Sequence, residues 1–73
     1  MSPARGAGRR FALVAIATAL AALPDDLRVV FMLSDIEGYS HSEIGKLLGI
    51  RVGTSEVRLH RARRRLRALL EDA

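Results

Sequence analysis

Residues 40–63, SHSEIGKLLGIRVGTSEVRLHRAR, decide how this chain folds. The segment opens on Ser40-His41-Ser42-Glu43. In that spacing a serine hydroxyl and the glutamate three residues on satisfy each other's backbone amides, so a helix starts here. Ile44, Leu47 and Leu48 follow at helical spacing and predict a core stripe. Gly45 lies on the same side and predicts the close approach of another helix. Gly49 predicts a helix stop with a positive φ, which other residues resist. Ile50 reads as a plug that ties the turn to the core. A longer helix is expected over residues 51–70. Short helix, glycine turn and longer helix make the layout of a helix-turn-helix.

The longer helix divides into two faces. Ser55, Leu59, Ala62, Leu66 and Leu69 recur in steps of four and three and predict its buried stripe. Gly53, Glu56, Val57, His60, Arg61 and Arg64 recur on the opposite side and predict an exposed one. An α-helix fits the major groove of DNA, and the N-terminal half of a recognition helix meets the base edges. Arg58, Arg63, Arg65 and Arg67 flank that stripe and are placed to meet phosphates, which position a domain without reading sequence. Arg51 and Thr54, at the start of the helix, complete the candidate DNA-binding set of Arg51, Gly53, Thr54, Glu56, Val57, Arg58, His60, Arg61 and Arg64. The bland readings are a solvated basic helix for the arginines and an inert first-turn residue for His41. Tyr39 reads as packing against the domain.

Working outward, residues 25–37 predict another helix, with Asp25 and Asp26 in its first turn, where they favour the helix dipole, and Gly38 as its stop. VVFML (residues 29–33) makes it apolar on both sides. Leu27, Val30, Phe31 and Ser34 mark one face, and Val29, Met32, Leu33 and Ile36 the other. A helix of that kind is buried twice or offers one side to a partner. Val29, Met32 and Leu33, together with the front of the preceding apolar segment, are the candidate partner surface. Pro24 separates that segment from this helix. Residues 11–23, FALVAIATALAAL, are apolar except for Thr18. They are too few to span a membrane, which takes about 20. Arg5, Arg9 and Arg10 before them and Ala19-Leu20-Ala21 within them resemble a signal peptide. Cleavage there would release a cysteine-free remnant, however, and an alanine-rich packed helix is the better reading. Residues 1–10 are expected to be a disordered basic tail, and residues 11–73 the folded domain.

Charge is distributed unevenly. Residues 1–23 carry Arg5, Arg9 and Arg10 and no acid; residues 24–50 carry five acids against Arg28 and Lys46; residues 51–73 carry seven arginines against Glu56, Glu71 and Asp72. A basic C-terminal helix beside an acidic middle suggests a polyanion on one face. The chain has no cysteine and two histidines. No thiolate site, phosphate loop or nucleophile–base pair is legible, so no enzyme, metal or cofactor is expected.

From residue 19 to residue 70 the chain resembles region 4 of bacterial sigma factors of the extracytoplasmic-function group. The resemblance rests on ALAALPDDLRVVFMLSDIEGYSHSEIGKLLGI followed by VGTSEVRLHRARRRLR. Output domains of quorum-sensing and response regulators share the cap and turn but lack the RLHRAR run. The resemblance implies an all-α, four-helix domain of winged-helix-like or sigma region 4 type. It also implies a sequence-specific DNA-binding module of transcription initiation that binds a minus-35 promoter element and docks on the β flap of RNA polymerase. Masking by an anti-sigma factor, a cytoplasmic location and no membrane partner follow from the same likeness. Base-reading positions of the family fall on Glu56, Val57, His60 and Arg61, and backbone-positioning ones on Gly53 and Thr54. Three positions depart from the family's usual residues: Arg51 where proline is common, Glu56 where Lys or Arg is usual, and Val57 where a small polar residue is usual. They imply a different base preference. The polymerase-clamp-binding region 2 of such factors has no counterpart here, so the chain is expected to be either an excised domain or a free-standing regulator. The alternative reading is a protein-interaction domain that binds polymerase or an anti-sigma factor and barely touches DNA.

Overall fold

A computed structural model describes the backbone of residues 3–71 and the side chains of residues 8–71. Four α-helices follow one another: α1 (Pro3–Ala22), α2 (Asp25–Phe31), α3 (His41–Leu48) and α4 (Val52–Glu71). No strand occurs among the described residues. α1 starts earlier than expected, since residues 3–10, read as a tail without structure, continue its helix. Among the described residues no helix is long and apolar enough to cross a membrane.

The core forms where α4 meets the other three helices. One cluster joins Ala19 and Leu23 of α1, Leu27 of α2, and Ala62 and Leu66 of α4. A second joins Val30 of α2, Ile44 of α3 and Leu59 of α4, with Phe31, Leu33, Leu48 and Ile50 packed around it. Val30 and Ile44 are fully buried. Truncating a side chain so placed to alanine typically costs about 2–5 kcal/mol. The apolar segment before Pro24 is thus fastened to the domain at its C-terminal end. Arg28 reinforces the joint: its guanidinium donates to the carbonyls of Leu20, Ala21 and Leu23 at 3.4, 3.1 and 3.3 Å. The Leu20 carbonyl also accepts from the Leu23 amide at 3.2 Å, and the guanidinium adds partners for the last carbonyls of the helix.

α2 does not continue as a plain α-helix to Glu37. Residues Met32–Ile36 form a π-helical turn, with the Glu37 amide donating to the Met32 carbonyl at 3.0 Å. Such a turn holds an extra residue and changes the side that later residues face. The second face expected from Val29, Met32, Leu33 and Ile36 divides: Leu33, three residues after the buried Val30, is half-buried against the second cluster, while Val29, Met32 and Ile36 are exposed. Gly38, at φ 83°, ends the helix, and the Gly38 and Tyr39 amides close on the Ser34 and Leu33 carbonyls.

The capping box on α3 forms as expected. The Glu43 amide donates to Ser40 Oγ, and the Ser40 amide to Glu43 Oε1, each at 3.1 Å. Hydrogen bonding of the Glu43 carboxyl to Ser40, to its backbone amide first and its side chain second, holds that carboxyl below its ordinary value. Gly49 closes α3 in the left-handed region at φ 68°. Two expected core positions are exposed instead: Leu47, at 59%, and Leu69, at 39%. Each lies past the edge of its helix's contact surface, Leu47 beside the buried Ile44 and Leu69 beyond the last core residue, Leu66.

Gly45 is pressed against the turn rather than against another helix. A Cβ on Gly45 would lie 2.7 Å from the Ile50 carbonyl oxygen. That oxygen belongs to backbone and cannot rotate away. Alanine gains about 1 kcal/mol of helix propensity over glycine, but overpacking typically costs about 1–3 kcal/mol, so Gly45→Ala should destabilise the domain. A Cβ on Gly53 meets nothing within 4 Å, and Gly53 has no positive φ. Gly53→Ala should leave stability unchanged or raise it by up to about 1 kcal/mol. Urea unfolding of both variants tests the contrast, and equal effects would refute it.

Candidate nucleic-acid interface

The interface is built on α4, whose orientation is set from below. Ser55 is completely buried one turn into the helix. Its Oγ lies 2.8 Å from His41 Nδ1 in the first turn of α3. The pair ties the start of one helix of the helix-turn-helix to the start of the other, so His41 has a structural role that the sequence reading did not assign. A buried hydroxyl needs a partner, and the polar residue within an otherwise apolar stripe was the available signal. Nothing in the sequence pointed to His41, 14 positions away.

Ser55, Leu59, Ala62 and Leu66 are all buried. On the opposite side Gly53, Glu56, Val57, His60, Arg61 and Arg64 are all exposed, forming one stripe. Arg51 is exposed beside the start of α4, and Thr54 and Arg58 are half-buried. Gly53, Thr54, Val57, Arg58 and Arg61 line a shallow depression of about 410 Å³. The structure brings five of the candidate residues together there. Arg61 and Arg64 line a second depression, of about 540 Å³, with Arg65, Pro24, Asp26, Leu27 and Ala68. Both are open surface features.

Asp26, which sequence analysis placed only at a helix start, borders both depressions. Its Oδ2 lies 3.9 Å from Arg58 Nε. An acidic side chain therefore stands at the edge of the basic surface, brought there by the packing of α2 on α4. The expected partner residues divide: Val29 and Met32 are exposed, at 37% and 43%, and Leu33 is not offered. Tyr39, expected to pack, is 41% exposed.

Not every arginine on α4 is free for a polyanion. Arg63 donates from Nε and Nη2 to the two Asp35 carboxylate oxygens at 2.9 and 2.7 Å. This two-pronged pair joins the π turn to α4 and withdraws Arg63 from the set of phosphate contacts suggested by sequence. The hydrogen bonds from Arg63 hold the Asp35 carboxyl below its ordinary value and raise Arg63. Among the described residues Glu56 is paired with no cation.

Residues 13–66 match the family described as Sigma-70, region 4. The chain belongs to that family. It is similar to the ECF RNA polymerase sigma factor SigE of Mycolicibacterium smegmatis, with 48% identity over 52 residues, covering 71% of this chain and 20% of that protein. It is 48% identical over 50 residues to the ECF RNA polymerase sigma factor SigW of Bacillus subtilis (68% of this chain, 27% of that protein). It is 46% identical over 54 residues to the RNA polymerase sigma factor CarQ of Myxococcus xanthus (74% and 31%). The chain thus spans between a fifth and a third of the length of these relatives. Within the region 4 family the helix-turn-helix described above is a DNA-binding, non-catalytic unit, and the exposed stripe of α4 is the face it leaves open.

The Asp35–Arg63 pair gives region 4 a pH-dependent contribution to stability. Because the native carboxyl of Asp35 is lowered, the contribution is fully present above the ordinary aspartate value of about 3.9. It is lost as pH falls below that value through the lower native one. Arg63 is more than half exposed, so screening limits the effect to roughly 0.5–1 kcal/mol. Asp35→Asn should remove this increment at neutral pH and flatten the stability profile in the acid range. Denaturant titrations of both proteins at neutral pH and near pH 3 check it, and an unchanged difference between the two would contradict the assignment.

Proposed function

We propose that this chain is a promoter-binding module of transcription initiation that lays the N-terminal half of α4 in the major groove. The observation that carries the reading is the division of α4. Four residues of one face are buried in the domain, while Gly53, Glu56, Val57, His60, Arg61 and Arg64 stay exposed along the other. A helix so divided is anchored on one side and free to enter a groove about 12 Å wide on the other. The shared sequence with the sigma factors supports a minus-35-type element as the target.

In this reading Arg51, Thr54, Arg58 and Arg64 meet phosphates, Gly53 allows close approach of the backbone, and Glu56, Val57, His60 and Arg61 face base edges. Glutamate only accepts hydrogen bonds and suits cytosine N4; valine suits a thymine methyl; arginine suits guanine. Affinity should fall with salt, with a slope of roughly −0.9 per phosphate neutralised. Glu56→Lys should tighten binding to nearly all duplexes and lose about 1–3 kcal/mol of discrimination at one base pair. Arg61→Ala should weaken binding and relax preference at a different one. A panel of single-base-pair variants titrated against both proteins reads these effects. A flat salt response would remove α4 as the contact surface, and a uniform effect of Glu56→Lys would remove Glu56 as a reader.

Docking on the β flap of RNA polymerase, or masking by an anti-sigma factor, is assigned to the exposed side of α2 and the π turn that follows it. Val29, Met32 and Ile36 supply apolar area there that the domain leaves uncovered. Replacing both Val29 and Met32 with Asp should abolish binding to an isolated flap fragment and leave duplex affinity within about twofold, because neither residue lies on the exposed stripe of α4. Loss of both activities in a folded variant would show that the two surfaces are not separate.

A further inference from the structure

The corner where α2 begins lies against the basic side of α4. Two open depressions meet there, one lined by Arg58 and Arg61, the other by Arg61, Arg64 and Arg65. Asp26 borders both, and among the described residues it is the only carboxylate that borders either.

Local geometry fixes which oxygen of Asp26 faces the arginines. The Leu27 amide donates to Asp26 Oδ1 at 3.0 Å, which holds the carboxylate in the first turn of α2. Oδ2 is left toward Arg58, 3.9 Å from its Nε. That separation is too long for a hydrogen bond, so Asp26 acts on Arg58 through its charge and does not orient it. The Asp26 side chain is 56% exposed and that of Arg58 30%, so the acid is more open to solvent than the base it faces. Asp25, one residue earlier, differs on each count. It pairs with Arg28 and borders neither depression. Of two adjacent acids, one serves the joint between α1 and α2 and the other stands on the α4 surface.

We propose that Asp26 is a restraint on phosphate binding built into the interface, and that it keeps the sequence-independent part of DNA binding weak. The inference rests on the reading of α4 as the DNA-binding helix. A phosphate that reaches Arg58, or enters between Arg61 and Arg64, comes within the roughly 8–10 Å over which the carboxylate is felt at ordinary salt. It is repelled by Asp26 and must also replace Asp26 as the counter-charge of Arg58. Both effects subtract from phosphate attraction, which every duplex offers equally. Contacts to base edges are not penalised, so a duplex without matching bases holds the domain too weakly to compete. An acid in the first turn of a helix is favourable for the helix dipole alone. Asp25 supplies that same benefit without facing α4, and the two positions can therefore be compared.

Asp26→Asn and Asp25→Asn each remove one negative charge from the first turn of α2, and only the first removes it from the α4 surface. Both variants and the wild-type chain are titrated over a range of salt with a duplex selected from a random pool and with an unrelated duplex. Asp26→Asn should tighten binding by about three- to tenfold near about 50 mM salt, with the gain shrinking as salt rises. The salt slope should steepen by up to about 0.9, the value of one phosphate. The gain should be the same within about twofold for both duplexes, since phosphates carry no sequence. Asp26→Ala, which adds no new amide, should act alike, whereas Asp25→Asn should leave affinity within about twofold. Arg58→Ala should cost at least about threefold more in the Asp26→Asn chain than in the wild-type chain, because the two charges are coupled. Equal tightening by the two Asn variants would overturn the proposal, since net charge or the helix end would then explain it. Unchanged or weaker binding by Asp26→Asn, beside a salt-dependent wild-type chain, would overturn it too, as would a gain confined to one duplex. A wild-type chain that binds neither duplex at any salt would instead refute the reading of α4 itself, and the inference with it.

Discussion

The contact between Gly45 and the Ile50 carbonyl sets the angle on which everything else depends. The turn between α3 and α4 is drawn so tightly over α3 that no side chain fits at position 45. Gly49 supplies the left-handed residue that lets the chain fold back, and the Ile50 amide donates to the Gly45 carbonyl at 3.0 Å. With the turn so closed, Ile44 and Leu59 come together over Val30 in one buried cluster. α4 then leaves the turn with Ser55 pointing inward at His41, and its opposite side is delivered to solvent. The exposed face of α4 follows from a steric constraint at one glycine.

Electrostatics act on that scaffold unevenly. The acidic α2 and the π turn after it lie against the basic α4, and their carboxylates decide which arginines remain available. Asp35 holds Arg63 in a two-pronged pair, and Asp26 stands close to Arg58. Arg61 and Arg64 are exposed and, among the described residues, paired with no carboxylate. The positive surface is therefore narrower than the count of arginines suggests. With Glu56 also on it, the face carries both signs of charge. In the proposed complex with DNA such a face depends more on matched contacts, because phosphate attraction alone is the sequence-independent part of DNA binding.

Sequence alone determined a good deal about this protein. The S-x-x-E cap, Gly49 and Gly38, and the steps of four and three along residues 55–66 each follow from local physics: backbone amides to satisfy, φ angles to reach, one side of a helix to bury. These rules gave an all-α chain, its helix-turn-helix and the face of α4 that stays free, and the RLHRAR run pointed to the sigma-factor family. How one helix modifies another depends instead on packing in three dimensions. The π turn at Met32–Ile36 adds a residue to the end of the second helix, which no apolar pattern encodes. The His41–Ser55 bond, the Asp35–Arg63 pair and the place of Asp26 join residues 14, 28 and more positions apart. Leu47 and Leu69 continue periodic stripes yet are exposed, since a stripe is buried only as far as a neighbouring helix reaches. Periodicity reports which side of a helix is apolar, and the packing partner determines how much of that side is covered.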